Sequence, residues 1–209
     1  MQITKFGHSC VLLDDGQTKI LFDPGVYSEI PELQVDGIVI THVHADHVDI
    51  EKLNAVLLTS PDAKIITNSE VGEELSKHDI KFEIVEHGQS TTIGTFSFEG
   101  LGNDHAVMHP ELPKFQNTAY LINESIFHPG DSLFVPPKPV EILFLPIAAP
   151  WSKVSETLDY ITAVNAKVNF PIHDGFIKDG GAFFRFSKMW CEKLGTELVT
   201  PELNKIYEF

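Results

Sequence analysis

The sequence predicts an α/β fold in four layers, with two mixed β-sheets packed face to face and helices outside. Three observations lead there. Short apolar runs bounded by Gly, Pro, Asn and Asp alternate with helical patterns in both halves of the chain. One run, Ile142-Leu143-Phe144-Leu145, is apolar throughout, as a strand buried on both faces would be. The chain has 209 residues, 43% apolar with 15 Phe, enough for a sizeable core. No Ser/Gly linker, low-complexity tract or strong repeat divides it, so residues 1–209 are expected to form a single domain.

The elements follow in order. Residues 2–14 alternate and then run apolar through Cys10-Val11-Leu12-Leu13. Asp14-Asp15-Gly16-Gln17 is a hairpin turn, and Thr18 to Phe22 is the returning strand, ended by Asp23-Pro24-Gly25. Gly37 to Ile40 is the next strand. A helix starts at Asp49 with an acidic cap, Lys64–Thr67 is a strand, and Ser69 opens a helix with a carboxylate-rich first turn. Phe82–Glu86, Ser90–Ile93 and Thr95–Leu101 read as strands between Gly-containing turns. In the second half, residues 118–122 and 125–128 are strands around Asn123-Glu124. After Ile142–Leu145, Val154–Asn165 is helical, Val168–Phe170 is a strand ending at Pro171-Ile172-His173, and Ala182–Leu194 is the last helix. Leu198-Val199 is a candidate closing strand.

The chemistry concentrates at Thr41-His42-Val43-His44-Ala45-Asp46-His47, directly after the Gly37–Ile40 run. Imidazole and carboxylate are ligands for zinc and its transition-metal neighbours. His42 and His44 are two apart, so on extended backbone they point the same way. Asp46 and His47 follow a turn and cannot converge on the same point, which implies two adjacent metal positions, one per pair. A solvated His-rich tract is the ordinary alternative, but these ligands are ordered around a strand end rather than scattered. His105, Asp131 and His173 each follow a further strand, where one rim could collect a ligand from each. Taken singly they are ordinary turn residues; beside the first cluster they become candidates.

Acidic residues outnumber basic ones 30 to 15, a formal charge of −15. That argues against nucleic acid and anionic membrane as partners. Cys10 and Cys191 lack paired spacing and read as buried thiols in a reducing setting. The N-terminus reads as a strand rather than a signal peptide, and no apolar run reaches membrane-spanning length. The expectation is a cytoplasmic protein acting on a small-molecule substrate, with a homo-oligomer left open.

His42-x-His44-x-Asp46-His47, followed by a later His, a Gly-Asp and a late His after an apolar strand, resembles the metallo-β-lactamase superfamily of metal-dependent hydrolases. The opening Gly7-His8-Ser9 and compact length resemble its L-ascorbate-6-phosphate lactonase-like branch. The resemblance implies an αββα sandwich with a binuclear site along one edge. It implies His42, His44 and His105 on one metal, Asp46, His47 and His173 on the second, and Asp131 bridging. It makes Asp23 a support for the His-rich loop through hydrogen bonds. Two divalent transition-metal ions are expected, zinc first, with manganese, iron or nickel fitting the same ligands. The activity implied is hydrolysis of a small ester, lactone or phosphodiester by metal-activated water, with Asp46 also orienting the water or shuttling its proton. The alternative is a metal- or ligand-binding protein that keeps the fold without catalysis. His8 and His109 are candidate substrate contacts or general acids, with a structural role the competing reading. For His128 the structural role is preferred. Pro113–Gln116 and Ala149-Pro150-Trp151 are loops that could line a pocket.

Overall fold

The computed structural model describes residues 1–177 and 181–209. β1 (Gln2–Gly7), β2 (Cys10–Asp14) and β3 (Lys19–Phe22) form the antiparallel meander expected of the first quarter. β4 (Gly37–Val39), β5 (Lys64–Thr67) and β6 (Glu83–Ile84) continue that sheet in parallel. The second sheet has the same plan. β7 (Ser90–Ile93), β8 (Phe96–Leu101), β9 (Ala119–Ile122) and β10 (Ile126–His128) are antiparallel neighbours. β11 (Ile142–Pro146), β12 (Val168–Ile172) and β13 (Glu197–Leu198) then run parallel. β14 (Ile206–Glu208) crosses back to pair with β1, so each sheet has seven strands among the described residues.

Period-2 alternation sorts side chains into three cores. Ile20, Phe22, Val39, Ile66, Tyr120, Phe144 and Phe170 pack between the sheets. Their neighbours Leu21, Ile38, Ile40 and Ile65 face outward with Leu53, Val56, Val71 and Leu75. The last four belong to α1 (Ile50–Thr59) and α2 (Ser69–Ser76). Leu121, Leu143 and Leu145 face the other way, with Tyr160, Ile161, Phe184 and Cys191 of α3 (Val154–Val164) and α4 (Ala182–Leu194). Three apolar layers between four structural ones make the αββα sandwich. Ile142–Pro146 is buried along its whole length, as its uninterrupted apolar run demands.

Two details differ from expectation. β12 extends through Pro171 to Ile172 instead of ending at Phe170. β13 pairs only with Val168 and Asn169, so at Pro171 that side of the strand needs no amide donor. β14 carries no signal in the sequence, being three residues long with two of them exposed. Asp49 caps α1 as predicted, its carboxylate accepting from the Lys52 amide at 2.9 Å, an interaction worth about 1 kcal/mol. No helix of the described residues is long and apolar enough to cross a membrane.

Candidate metal centre

The site residues lie on loops that leave the strand ends. His8 follows β1, Asp23 follows β3, and Thr41–His47 follow β4; His105, Asp131 and His173 follow β8, β10 and β12. Two backbone bonds stitch the sheets together here: Thr118 N–H donates to Thr41 O at 3.0 Å, and His173 N–H to His8 O at 3.2 Å. His8, Asp23 and His173 adopt left-handed backbone (φ 49°, 44° and 58°), a sharp reversal that brings each side chain back over the sheet edge and stores strain. Gly130, in the Gly-Asp turn, also has positive φ; a Cβ there would lie 2.2 Å from Asn117 Oδ1 and 2.8 Å from Thr41 Cβ. Only glycine lets the Asp131 turn approach the His-rich loop.

All seven expected ligands converge. His42, His44 and His105 place one donor atom each within 4.8 Å of one another, as do His8, Asp46, His47 and His173, and so do His42, His47 and Asp131. Asp131 lies between the groups. Its Oδ1 is 3.1 Å from His47 Nε2, and its Oδ2 is 2.9 Å from His173 Nε2 and 3.4 Å from His105 Nε2. The grouping also crosses the two pairs suggested by spacing: the rings of His42 and His47 are only 4.0 Å apart, and both lie within reach of Asp131.

Hydrogen bonds fix which nitrogen of each ring faces inward. His47 Nδ1–H donates to Asp23 Oδ2 at 2.7 Å. His105 and His173 donate from Nδ1 to the carbonyls of Ala106 (2.6 Å) and Ala148 (2.7 Å). Thr41 Oγ1–H donates to Asp23 Oδ2 at 2.9 Å, which leaves its oxygen to accept His42 Nδ1–H at 3.0 Å. The Nδ1 atoms of His42, His47, His105 and His173 are thus tied to outward partners, which turns their Nε2 atoms toward the centre. Nε2 of His42, His47 and His105 and Oδ1 of Asp131 are buried with no hydrogen-bond partner. Leaving such groups unsatisfied costs about 1–3 kcal/mol each. A cluster of imidazole lone pairs around a carboxylate is a donor set for a divalent transition metal, so the residues present fit one.

Charge follows the same geometry. Burial pushes the His42 and His44 imidazoles down, reinforced by His47 and His105 respectively. Burial also lowers His47, but the Asp131 and Asp23 carboxylates outweigh it and hold His47 well above the usual histidine range. Burial would raise Asp131, yet the imidazoles of His47, His173 and His42 hold it well below the carboxylate range. Asp46 resists burial likewise: the His8 hydrogen bond and the His47 charge keep it at about 2.

His8 is buried inside the second group. Gly175 N–H donates to its Nδ1 at 3.0 Å, so its proton sits on Nε2 and points to Asp46 Oδ2 at 3.2 Å. His109 is elsewhere: it lies on the exposed 106–115 loop, accepts the Glu111 amide on Nδ1, and joins none of the three groups. His128 is fully buried and stacks on Phe22 at 4.8 Å and 13°, as the structural reading expects. Sequence reasoning missed Thr41 as a hub, and Asn117, whose Oδ1 accepts Asp131 N–H at 2.9 Å. Thr41 carries a signal in its place between the strand and the first ligand; Asn117 carries none. Trp151, in one of the two loops expected to line a pocket, donates from Nε1 to Asp131 Oδ2 at 3.0 Å.

The sandwich and its histidine-rich edge define the class as a metal-dependent hydrolase of metallo-β-lactamase fold. The chain belongs to the family described as the beta-lactamase superfamily domain, which matches residues 2–173, up to the last of the expected ligands. It is 35% identical over 215 residues to protein Rv0786c of Mycobacterium tuberculosis, covering 100% of this chain and 97% of that one. It is 26% identical over 231 residues to the UPF0173 metal-dependent hydrolase MJ1163 of Methanocaldococcus jannaschii, covering 99% of each. Among solved structures it shares the fold of Igni18, a metallo hydrolase of Ignicoccus hospitalis, with a TM-score of 0.75 at 18% identity over 100% of this chain and 98% of that chain. These matches carry the superfamily; they do not carry the narrower lactonase-like branch.

Proposed function

We propose that the chain binds two divalent transition-metal ions, zinc being the first candidate, and hydrolyses a small ester, lactone or phosphodiester. His42, His44 and His105 would hold one ion, Asp46, His47 and His173 the other, and Asp131 both. The observation that carries this is the set of buried, unpartnered donor atoms at the centre, each ring turned inward by its Nδ1 bond. Bound, the ions supply an activated water and polarise the oxygen of the scissile group.

The remaining work belongs to the chain. Asp23 and Thr41 orient His47 and His42 from behind. Trp151 holds Asp131 at Oδ2. His8 donates to Asp46 Oδ2 at 3.2 Å and fixes the orientation of that carboxylate, which would serve as ligand and proton acceptor. His109 has no contact that links it to the reacting atoms and stands outside this machinery.

The test is turnover of a panel of neutral esters, lactones and phosphodiesters by metal-loaded protein. Hydrolysis of at least one member is expected, reduced by about 100-fold or more in His44→Ala and Asp131→Ala. Full metal loading with no turnover on any member would favour the non-catalytic alternative.

A further inference from the structure

Four aromatic rings from four separate loops stand around the metal centre. Phe115 meets His44 edge-on at 4.4 Å. Trp151 lies 6.1 Å from His105 and 6.0 Å from His173. Phe176 lies 5.5 Å from His173 and 4.9 Å from His8, and Tyr27 lies 5.5 Å from His8 and 5.1 Å from Phe176. Tyr27 and Phe176 are each 49% exposed, and Phe115 and Trp151 are half-buried. Large rings left in water forgo the burial that ordinarily places them in a core.

These rings are held in position. Around Tyr27, Val26 N–H donates to Ala45 O at 2.8 Å, Ser28 N–H to Gly25 O at 3.1 Å, and Lys52 Nζ to Val26 O at 2.9 Å. Around Phe176, Gly175 N–H is anchored on His8 Nδ1, and Ile177 N–H closes a turn on Asp174 O at 3.0 Å. A cleft of about 580 Å³, bordered by Tyr27, Ile177, Phe184 and Leu203 and also by Asp174 and Glu202, adjoins the Tyr27 side, a size suited to a small molecule.

We infer that this aromatic collar is the specificity element of the site, and that the substrate is an uncharged ester or lactone carrying an aryl or comparably bulky apolar group beside the scissile bond. The inference rests on the hydrolase reading above and narrows it. A pre-formed ring of apolar faces rewards a flat, weakly hydrated group at little ordering cost. It offers no such reward to a small, strongly hydrated one.

The test compares two hydroxamic acids on the metal-loaded full chain, acetohydroxamic acid and phenylacetohydroxamic acid. Both bring the same metal-binding head, and only the second brings a ring. The phenyl compound is expected to bind about 10- to 100-fold more tightly, what burying a phenyl group yields. In the Tyr27→Ala/Phe176→Ala double variant the ratio of the two affinities is expected to fall to about threefold or less. The Tyr27→Leu/Phe176→Leu variant, which keeps apolar bulk, should retain an intermediate ratio; melting curves confirm that both variants fold. A ratio near one in the intact chain, or a ratio that the double alanine variant leaves unchanged, overturns the inference. Turnover separates it from the reading beneath it. Aryl-selective binding without hydrolysis on any panel member sinks the proposed function and leaves the collar standing. Hydrolysis with a binding ratio near one does the reverse.

Discussion

Replacing Asp23 by asparagine isolates the support behind the two innermost histidines. Asp23 is fully buried and accepts three bonds: Thr41 N–H on Oδ1 at 2.8 Å, and Thr41 Oγ1–H and His47 Nδ1–H on Oδ2 at 2.9 and 2.7 Å. Asparagine keeps the volume and tolerates the left-handed backbone that Asp23 adopts. With its oxygen left on Thr41 N–H, its amide nitrogen faces two donors. Flipped, the amide nitrogen meets the Thr41 amide instead. Either way bonds to a charged acceptor are lost, at about 1.5–3 kcal/mol each. His47 then loses the partner that directs Nε2 inward, and Thr41 loses the acceptor that frees its oxygen for His42. Supports of this kind are worth about 10- to 100-fold in metal affinity, or about 1.4–2.7 kcal/mol. The assay is competition of metal between Asp23→Asn and a chelator of known affinity, run beside denaturant unfolding of the metal-free chain. Both metal equivalents should weaken, because His42 and His47 sit in different groups, and the metal-free chain should lose about 3 kcal/mol. Metal affinity within twofold of the parent would refute the reasoning.

Other perturbations follow from the same contacts. His8→Ala removes the donor to Asp46 Oδ2 and should weaken the metal at the Asp46 group by about 10-fold while sparing the His42–His44–His105 group; equal weakening of both in a chelator titration contradicts it. Gly25→Ala would put a Cβ 1.9 Å from Asp46 O, so that backbone must move; a loss of about 3 kcal/mol or more is expected in denaturant unfolding, and parental stability would show the approach to be loose. Burial holds the His128 imidazole down at about 4, whereas the unfolded chain takes up its proton near pH 6.5. The native state therefore binds that proton later as pH falls. Stability contributed by the neutral ring is fully present above about pH 6.5, is lost between there and about 4, and amounts to about 3 kcal/mol. His128→Gln should flatten this part of the stability–pH curve, and an unchanged slope would sink the assignment.

What the sequence exposes is what local patterning encodes. The Gly37–Ile40 run with ligands directly behind it, the Asp49 cap, and the doubly buried Ile142–Leu145 strand are all readable because neighbours in sequence carry the whole signal. The candidate order from His42 to His173 is legible because the His42–His47 cluster, His105, Asp131 and His173 each come after a strand. The support network could not. His8 takes its tautomer from Gly175 and Asp131 its place from Asn117, contacts that only the closed sandwich creates. The aromatic collar is hidden for the same reason: Tyr27, Phe115, Trp151 and Phe176 have no common spacing and meet only around the metal-facing histidines. His109, four residues after His105, looks close in sequence, yet the loop carries it out to solvent.

The central claim is a two-ion centre joined by Asp131. Calorimetric titration of the metal-free chain with zinc, with elemental analysis of the product, tests it most directly. The account predicts two equivalents per intact chain and loss of at least one in Asp131→Ala, whose carboxylate reaches both groups. A single equivalent in the intact chain, or two retained at full affinity without Asp131, would contradict it.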